Sequence, residues 1–258
     1  MKFRIDHDMH MHSRLSPCSS DQNQTPENLL RFAEAQGLST ICLTDHFWDE
    51  NVPASMPKPD YWYAHQTTEK LSRWGKLPQG EGIRFLFGCE TDISKDGAIG
   101  ISPANFDRFD FIIVPVNHLH LTGFTCEGGE DSETRAKLWC DRLELVLDAA
   151  MPFHKMGLAH LTGTADVFPC ISDEELTRLF TKAASRGIGI ELNGSWLNYT
   201  EEEFAVHLRP LRIAKACGCR FYLGSDAHSL DRFERRIENF TKIINALDLE
   251  ESDKFILK

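Results

Sequence analysis

Residues 8–13, Asp-Met-His-Met-His-Ser, decide how this chain reads. His10 and His12 alternate, and on an extended strand that spacing sends both imidazoles to one face. Residues 224–229, Gly-Ser-Asp-Ala-His-Ser, repeat the geometry far along the sequence with Asp226 and His228. Between them Asp45-His46, Glu90, His118, His120 and His160 each follow a short apolar run. A lone His-x-His pair is weak evidence of a metal site. Its weight here comes from company, because in a parallel α/β barrel all strand ends converge on one face and the first and last strands are neighbours.

The rest of the sequence alternates in the same rhythm. Strands are predicted at 3–8, 40–44, 83–88, 111–116, 156–160, 187–193 and 220–224, most of them apolar enough to be buried on both faces. Helices fall between them. Thr25-Pro26 opens one that Gly37 closes, Ser172 to Glu175 and Thr200 to Glu203 read as capping boxes, and further helices are expected at about 132–150 and 230–247. Repeated βα units imply a parallel sheet with right-handed crossovers, and seven of them imply an α/β fold of the distorted (βα)7, TIM-like barrel kind. The whole of 1–258 reads as one barrel domain. An insertion at about 47–82 holds four prolines and three tryptophans, and 119–131 is rich in glycine and acidic residues. Both follow ligand-bearing strand ends, so both are expected at the active-site face as pocket walls or a lid, or else as unrelated surface insertions.

Composition narrows the partners. With 28 Lys and Arg against 39 Asp and Glu the net charge is −11, which argues against a long nucleic acid as partner and leaves room for a small phosphorylated substrate. No run is long and apolar enough to span a membrane, and the opening MKFRIDHDMH lacks a signal core. The eight cysteines show no Cys-x-x-Cys pair and read as reduced thiols of a cytoplasmic protein. Oligomeric state is not legible.

The set DMHMHS, TDH, GCE, a histidine after the fourth strand, LAH and GSDAHS resembles the PHP (polymerase and histidinol phosphatase) superfamily across essentially the whole chain. The resemblance implies two or three divalent metal ions (Zn, Mn or Fe) at the carboxyl ends of the strands. His10, His12, Glu90 and Asp226 would hold one. Glu90 would bridge to a second on His118 and His160. A third would use His46, His228 and a ligand from the loop after His12. It also implies a histidinol-phosphatase-like hydrolase of a small phosphomonoester, acting through a metal-bridging hydroxide, with Asp226 or His228 giving the leaving group its proton.

Two departures from that pattern matter. Where the family offers Asp or His after the second histidine, this chain has Pro17 and Cys18. Cys18 could bind as a thiolate, which would favour zinc; Asp21 could reach in instead; or the third site is weak or empty. After the fourth strand the expected histidine position holds Asn117, and a one-residue bulge would bring in His118, chosen over His120, which is left to contact substrate. Arg14 and Arg232 are the candidate phosphate-binding cations. Asp45 is a candidate partner for a liganding imidazole, Asp8 is expected to point away from the metals, and Asn193 could reach a ligand or serve structure. His7, His65, His154 and His207 are read as surface or satisfied core residues. Two rival readings stand beside this one: an amidohydrolase-type C–N hydrolase, against which no lysine sits at a middle strand end, and a non-enzymatic metal-binding regulatory domain, against which the ligand set is nearly complete.

Overall fold

A computed structural model of the chain describes residues 1–19, 21–195 and 200–257. The elements in order are β1 (His7–Met11), α1 (Pro26–Gln36), β2 (Thr40–Leu43), β3 (His46–Phe47), α2 (Thr68–Leu71), β4 (Arg84–Thr91), β5 (Phe111–Pro115), α3 (Ser132–Asp148), β6 (Met156–Ala159), α4 (Asp173–Arg186), β7 (Gly189–Asn193), α5 (Glu201–Ala216), β8 (Arg220–Gly224) and α6 (Arg232–Leu247). The sheet runs β1-β2-β4-β5-β6-β7-β8, every pairing parallel, with the two-residue β3 attached to β4. Past the end of β8 the chain turns back onto β1: Asp226 N donates to His10 O and His12 N donates to Ala227 O, both at 2.9 Å. These bonds bring the ends of the sheet together into the expected distorted seven-stranded (βα)7 barrel.

The first strand lies further along the chain than the sequence suggests, at 7–11 rather than 3–8. Lys2 and Phe3 pair instead with the stretch after α6, where Phe3 N donates to Leu249 O. The β1–β2 register slips between Asp8 and Met11. Met9 therefore packs in the inner core, while His10, the next residue, also turns inward at the level of the strand ends. Likewise β4 runs on to Thr91 and takes Cys89 and Glu90 into the sheet.

Local signals place the helices. Thr25 caps α1 through Asn28 N, Pro26 occupies the first turn, and Gly37 takes the left-handed conformation at φ 67° that ends it. Thr200 and Glu203 form the full capping box, whereas Ser172 caps Glu175 N but the Glu175 carboxylate pairs with Arg178 instead. A small core of Met9, Cys42, Leu86, Phe111, Ile113, Ala159 and Tyr222 fills the barrel, and a larger one lies between strands and helices. Phe255 and Leu257 pack on the inner core from the amino-terminal side. Trp48 and Tyr63 of the 47–82 stretch meet Phe124 of the 119–131 stretch in a third apolar cluster, so the two irregular segments brace one another. All eight cysteines are free thiols, and among the described residues no helix is long and apolar enough to cross a membrane.

Candidate metal centre

The barrel-closing bonds also build the site. Because Asp226 N is tied to His10 O, the first and last segments bring His10, His12 and Asp226 within reach of each other: His12 Nε2 is 3.2 Å and His10 Nε2 3.6 Å from Asp226 Oδ1. Glu90 comes up from β4 between them. Its Oε2 lies 3.3 Å from His12 Nε2 and 3.1 Å from His46 Nδ1, and its Oε1 lies 3.0 Å from His160 Nε2 and 3.9 Å from His118 Nε2. Two of the strand-end residues, His160 (φ 27°) and Asp226 (φ 52°), hold positive φ without being glycine, a conformation that costs on the order of 1–3 kcal/mol each. Gly224 permits the close approach beside them: a Cβ there would stand 2.5 Å from Glu191 Cδ and 2.8 Å from His10 Cβ.

Four of the imidazoles have one nitrogen already committed. His10 Nδ1 donates to Glu191 Oε2 at 2.8 Å, His118 Nδ1 to Asp92 Oδ2 at 2.6 Å and His160 Nδ1 to Asn117 Oδ1 at 2.9 Å. His12 Nδ1 lies 3.1 Å from Ser16 Oγ, whose own hydrogen goes to Asp45 Oδ1, so the ring is the donor. In the neutral ring each Nε2 is then a bare lone pair, and all four point toward Glu90. The consequences are severe without a cation: His10 Nε2 and His12 Nε2 face one another at 3.2 Å, and His160 Nε2 faces a carboxylate oxygen at 3.0 Å. A proton or a metal ion must sit between such pairs.

The electrostatics agree. Burial opposes charge on His10 and His12. The carboxylates still win, with Glu191 and Glu90 holding His10 well above its usual pKa, and Asp226 and Glu90 lifting His12 to about 9. Burial likewise opposes ionisation of Glu90, but His46 and His10 keep it well below the usual carboxylate range. His46 falls to about 3 and His228 to about 4, through burial and the neighbouring His12. Burial, with Glu90 and Asp226, pushes the Cys18 thiol up. Ligand atoms gather within 4.8 Å of one another in three sets: His10, His12 and Asp226; His10, Glu90 and His160; His12, Cys18 and His46. Above them opens a cavity of about 790 Å³.

The profile of the PHP domain family matches residues 8–195, from the aspartate before the first histidine pair to just past β7. The chain belongs to the PHP domain family. A solved histidinol phosphate phosphatase from Lactococcus lactis subsp. lactis, complexed with zinc, L-histidinol and phosphate, is similar to this PHP chain at 19% identity and a TM-score of 0.61, over 97% of this chain and 98% of that one. PsfC from Pseudomonas syringae stands at 17% identity and 0.44, over 88% and 77%, and ochratoxinase from A. niger at 12% and 0.40, over 96% and 69%. No curated protein matches it. The family match stops before Asp226 and His228, which the barrel closure carries into the same cluster.

His10, His12, His46, Glu90, His118, His160 and Asp226 come together. Cys18 Sγ joins His12 and His46, while Asp21 turns away to accept from Asn23 N. His228 lies outside the three ligand sets. Its Nδ1 sits 3.0 Å from Arg232 Nη1 and 2.8 Å from Asp226 O. The Asp226 carbonyl can only accept, so at 2.8 Å Nδ1 donates to it, and Arg232 Nη1 serves the same carbonyl at 3.2 Å. Arg232 is thus engaged by the Asp226 carbonyl rather than lining the cavity. Arg14 is exposed and stacks over Trp74 at 5.4 Å, away from the cavity. His120 lines the cavity edge-on to His118. Of the insertion's aromatics Trp62 lines the cavity, and Trp74 Nε1 donates to Ser13 Oγ. Asp45 reaches His12 through Ser16 rather than holding His46. Asp8 stays out of the ligand sets and ties Ser225 N and Oγ to β1. Asn193 donates to Glu191 Oε1. His7 and His207 are satisfied in the core, accepting from Leu223 N and donating to Thr162 O respectively, while His65 and His154 are exposed.

The orienting residues Glu191, Asp92 and Asn117, and the cavity's Arg135, are what the sequence reading missed. Asp92 lies two residues beyond Glu90 and shares its strand face, a spacing that could have marked it. Nothing local marks Arg142, whose guanidinium reaches from α3 to Asp92 Oδ1 at 2.8 Å and to the carbonyls of Ile93, Val116 and Thr125.

Proposed function

We propose that this PHP chain is a metal-dependent phosphoesterase that hydrolyses a small phosphomonoester. The observation carrying the proposal is the set of four imidazoles whose Nδ1 atoms are committed while their Nε2 atoms turn on Glu90. Such a donor set fits divalent cations such as Zn, Mn or Fe, since imidazole and carboxylate accept all three. On this reading His10, His12, Glu90 and Asp226 hold one ion, and Glu90 with His118 and His160 a second. Cys18, His46 and His12 offer a third position, where the thiolate favours zinc. Ions bound there supply a water of lowered pKa and neutralise charge developing on phosphoryl oxygens.

The chain's own groups do the remainder. Glu191, Asp92, Asn117 and Ser16 hold the imidazoles in one tautomer and orientation. His228 stands beside Asp226 at the cluster and, in its imidazolium form, is the group assigned to protonate a leaving alkoxide, while Asp226 shares that region as a ligand. The cavity of about 790 Å³ suits a small molecule, and the net charge of −11 speaks against a long nucleic acid. Eight free thiols fit a reducing compartment such as the cytoplasm, and the barrel from 1 to 258 is taken as one domain.

The test is phosphate release from a panel of small phosphomonoesters after loading with Mn, Fe or Zn. Release is expected with at least one metal and is expected to fall at least about 1,000-fold in Asp226→Ala, which loses a ligand while keeping the backbone bonds that close the barrel. A folded, metal-loaded protein that releases phosphate from none of them overturns the reading.

A further inference from the structure

The cavity above the cluster is lined by imidazoles, carboxylates, apolar side chains and one permanent cation. Arg135, in the opening turns of α3, is the single lysine or arginine among its described lining residues. Its surroundings are only partly made for it. Nη1 donates to Asp166 Oδ2 at 2.8 Å, a carboxylate that is itself 42% exposed. Nε is shielded from solvent and has no acceptor among the described residues. An exposed ion pair contributes little, whereas a shielded donor left unpaired is costly. The guanidinium is therefore held loosely by Asp166, in a position where its donors are not all used.

Its placement separates it from the metal chemistry. The Arg135 side chain is 27% exposed, against 1% for Glu90 and none for His10 and His12. It forms no hydrogen bond or ion pair with the histidines and carboxylates of the centre. Cations held by Glu90 and its imidazoles would draw a phosphoryl group to the floor, and the more exposed Arg135 stands further out, on the side to which a leaving group can project. A planar, always-charged fork at that point suits a carboxylate or a phosphate.

We propose that Arg135 sets specificity by binding a second acidic group on the leaving-group side of the phosphomonoester, with Asp166 occupying the guanidinium until substrate arrives. This rests on the phosphoesterase reading above and extends it from any small phosphomonoester to a doubly anionic one.

The test compares the metal-loaded full chain on phenyl phosphate and its three carboxyphenyl isomers, which share the reacting end. The wild-type protein is expected to prefer at least one carboxylated isomer. Arg135→Ala should reduce that preference by roughly 10- to 100-fold, the weight of a charged hydrogen bond, and chiefly through KM. Arg135→Lys should restore part of it. Asp166→Asn, on an exposed side chain, should raise the preference by releasing the guanidinium, and it carries the test should Arg135→Ala fold poorly. A wild-type protein with no preference for any acidic isomer, or a preference that these variants leave unchanged, overturns the assignment while the phosphoesterase reading stands. Absence of release from all four esters and from the wider panel removes both together.

Discussion

At the amino-terminal mouth of the barrel, Asp6 meets Lys254 Nζ at 3.0 Å and His7 Nδ1 at 2.8 Å, and Phe255 closes over Phe111 and Tyr222. At the carboxyl-terminal mouth, Glu90 and Asp226 meet only imidazoles; among the described residues no lysine or arginine pairs with either. One mouth carries its own fixed counter-charge and an apolar plug. The other gathers bare ring nitrogens and carboxylates under an open cavity. The difference teaches where the fold supplies its own counter-charge and where it leaves lone pairs and carboxylates to be bridged by protons or, as proposed, by metal ions, in keeping with barrels whose lower face serves stability and whose upper face serves chemistry.

The sharpest way to break this contrast is Arg142→Met. Arg142 is the fixed cation beneath the upper mouth, and its loss strands the buried Asp92 and several loop carbonyls. A loss of about 3–5 kcal/mol is expected, since breaking a buried pair on one side leaves an uncompensated charge. Chemical denaturation measures it, and a loss below about 1 kcal/mol would show that Asp92 is held otherwise.

Glu191→Gln sharpens the contrast without dismantling the fold. The amide keeps the shape but weakens the hold on His10 Nδ1, and metal affinity should drop about 10- to 100-fold. Competition with a chromogenic chelator reads this directly, and unchanged affinity would detach Glu191 from the centre.

The pH dependence should run in opposite directions with and without metal. In the metal-free protein the folded-state pKa of His12 is about 9, and those of His10 and His160 are also raised, each against a usual value of about 6.5. Groups raised on folding stabilise fully below the unfolded pKa and lose that contribution as pH climbs through the folded one. The chelated protein should therefore melt at lower temperature at pH 9 than at pH 6.5. The metal-loaded protein should hold or gain over the same window, because protons no longer compete with the ions. Parallel melting curves would mean that these imidazoles do not bind metal.

The smallest effect belongs to the lower mouth. Burial works against the charge on Asp6, yet His7 and Lys254 hold its carboxyl below the usual range. Lys254→Met should cost about 1 kcal/mol, or roughly 2–4 °C in Tm, while metal affinity and turnover stay as they were. A change in metal affinity would show that the two ends are coupled.

The repeated strand-end motifs made the barrel legible, since His10/His12 and Asp226/His228 sit where the fold must close. Helix boundaries were legible where a local device exists, as with Thr25 and Gly37 around α1. The misplaced start of β1 has a non-local cause: Phe3 pairs with Leu249, which no pattern near residue 3 reveals. The clustered side chains were legible because a candidate metal site draws on a short list of residue types. Their supports were not, because Asn117, Ser16 and Arg142 are ordinary residue types whose role depends on partners brought in by the fold. Arg14 and Arg232 show the converse. Both are close in sequence to the motifs, but one is drawn to Trp74 and the other to the Asp226 carbonyl.

The bonds that close the barrel join His10 and His12 to Asp226 and Ala227, more than 200 residues further along. During synthesis the first histidine pair leaves the ribosome long before its partners exist. The emerging chain can offer an ion only scattered side chains until the last strand docks. On the proposed reading, loading with metal would thereby be deferred to the moment the fold is complete, and a truncated chain lacking that last strand could not bring Asp226 to the histidine pair.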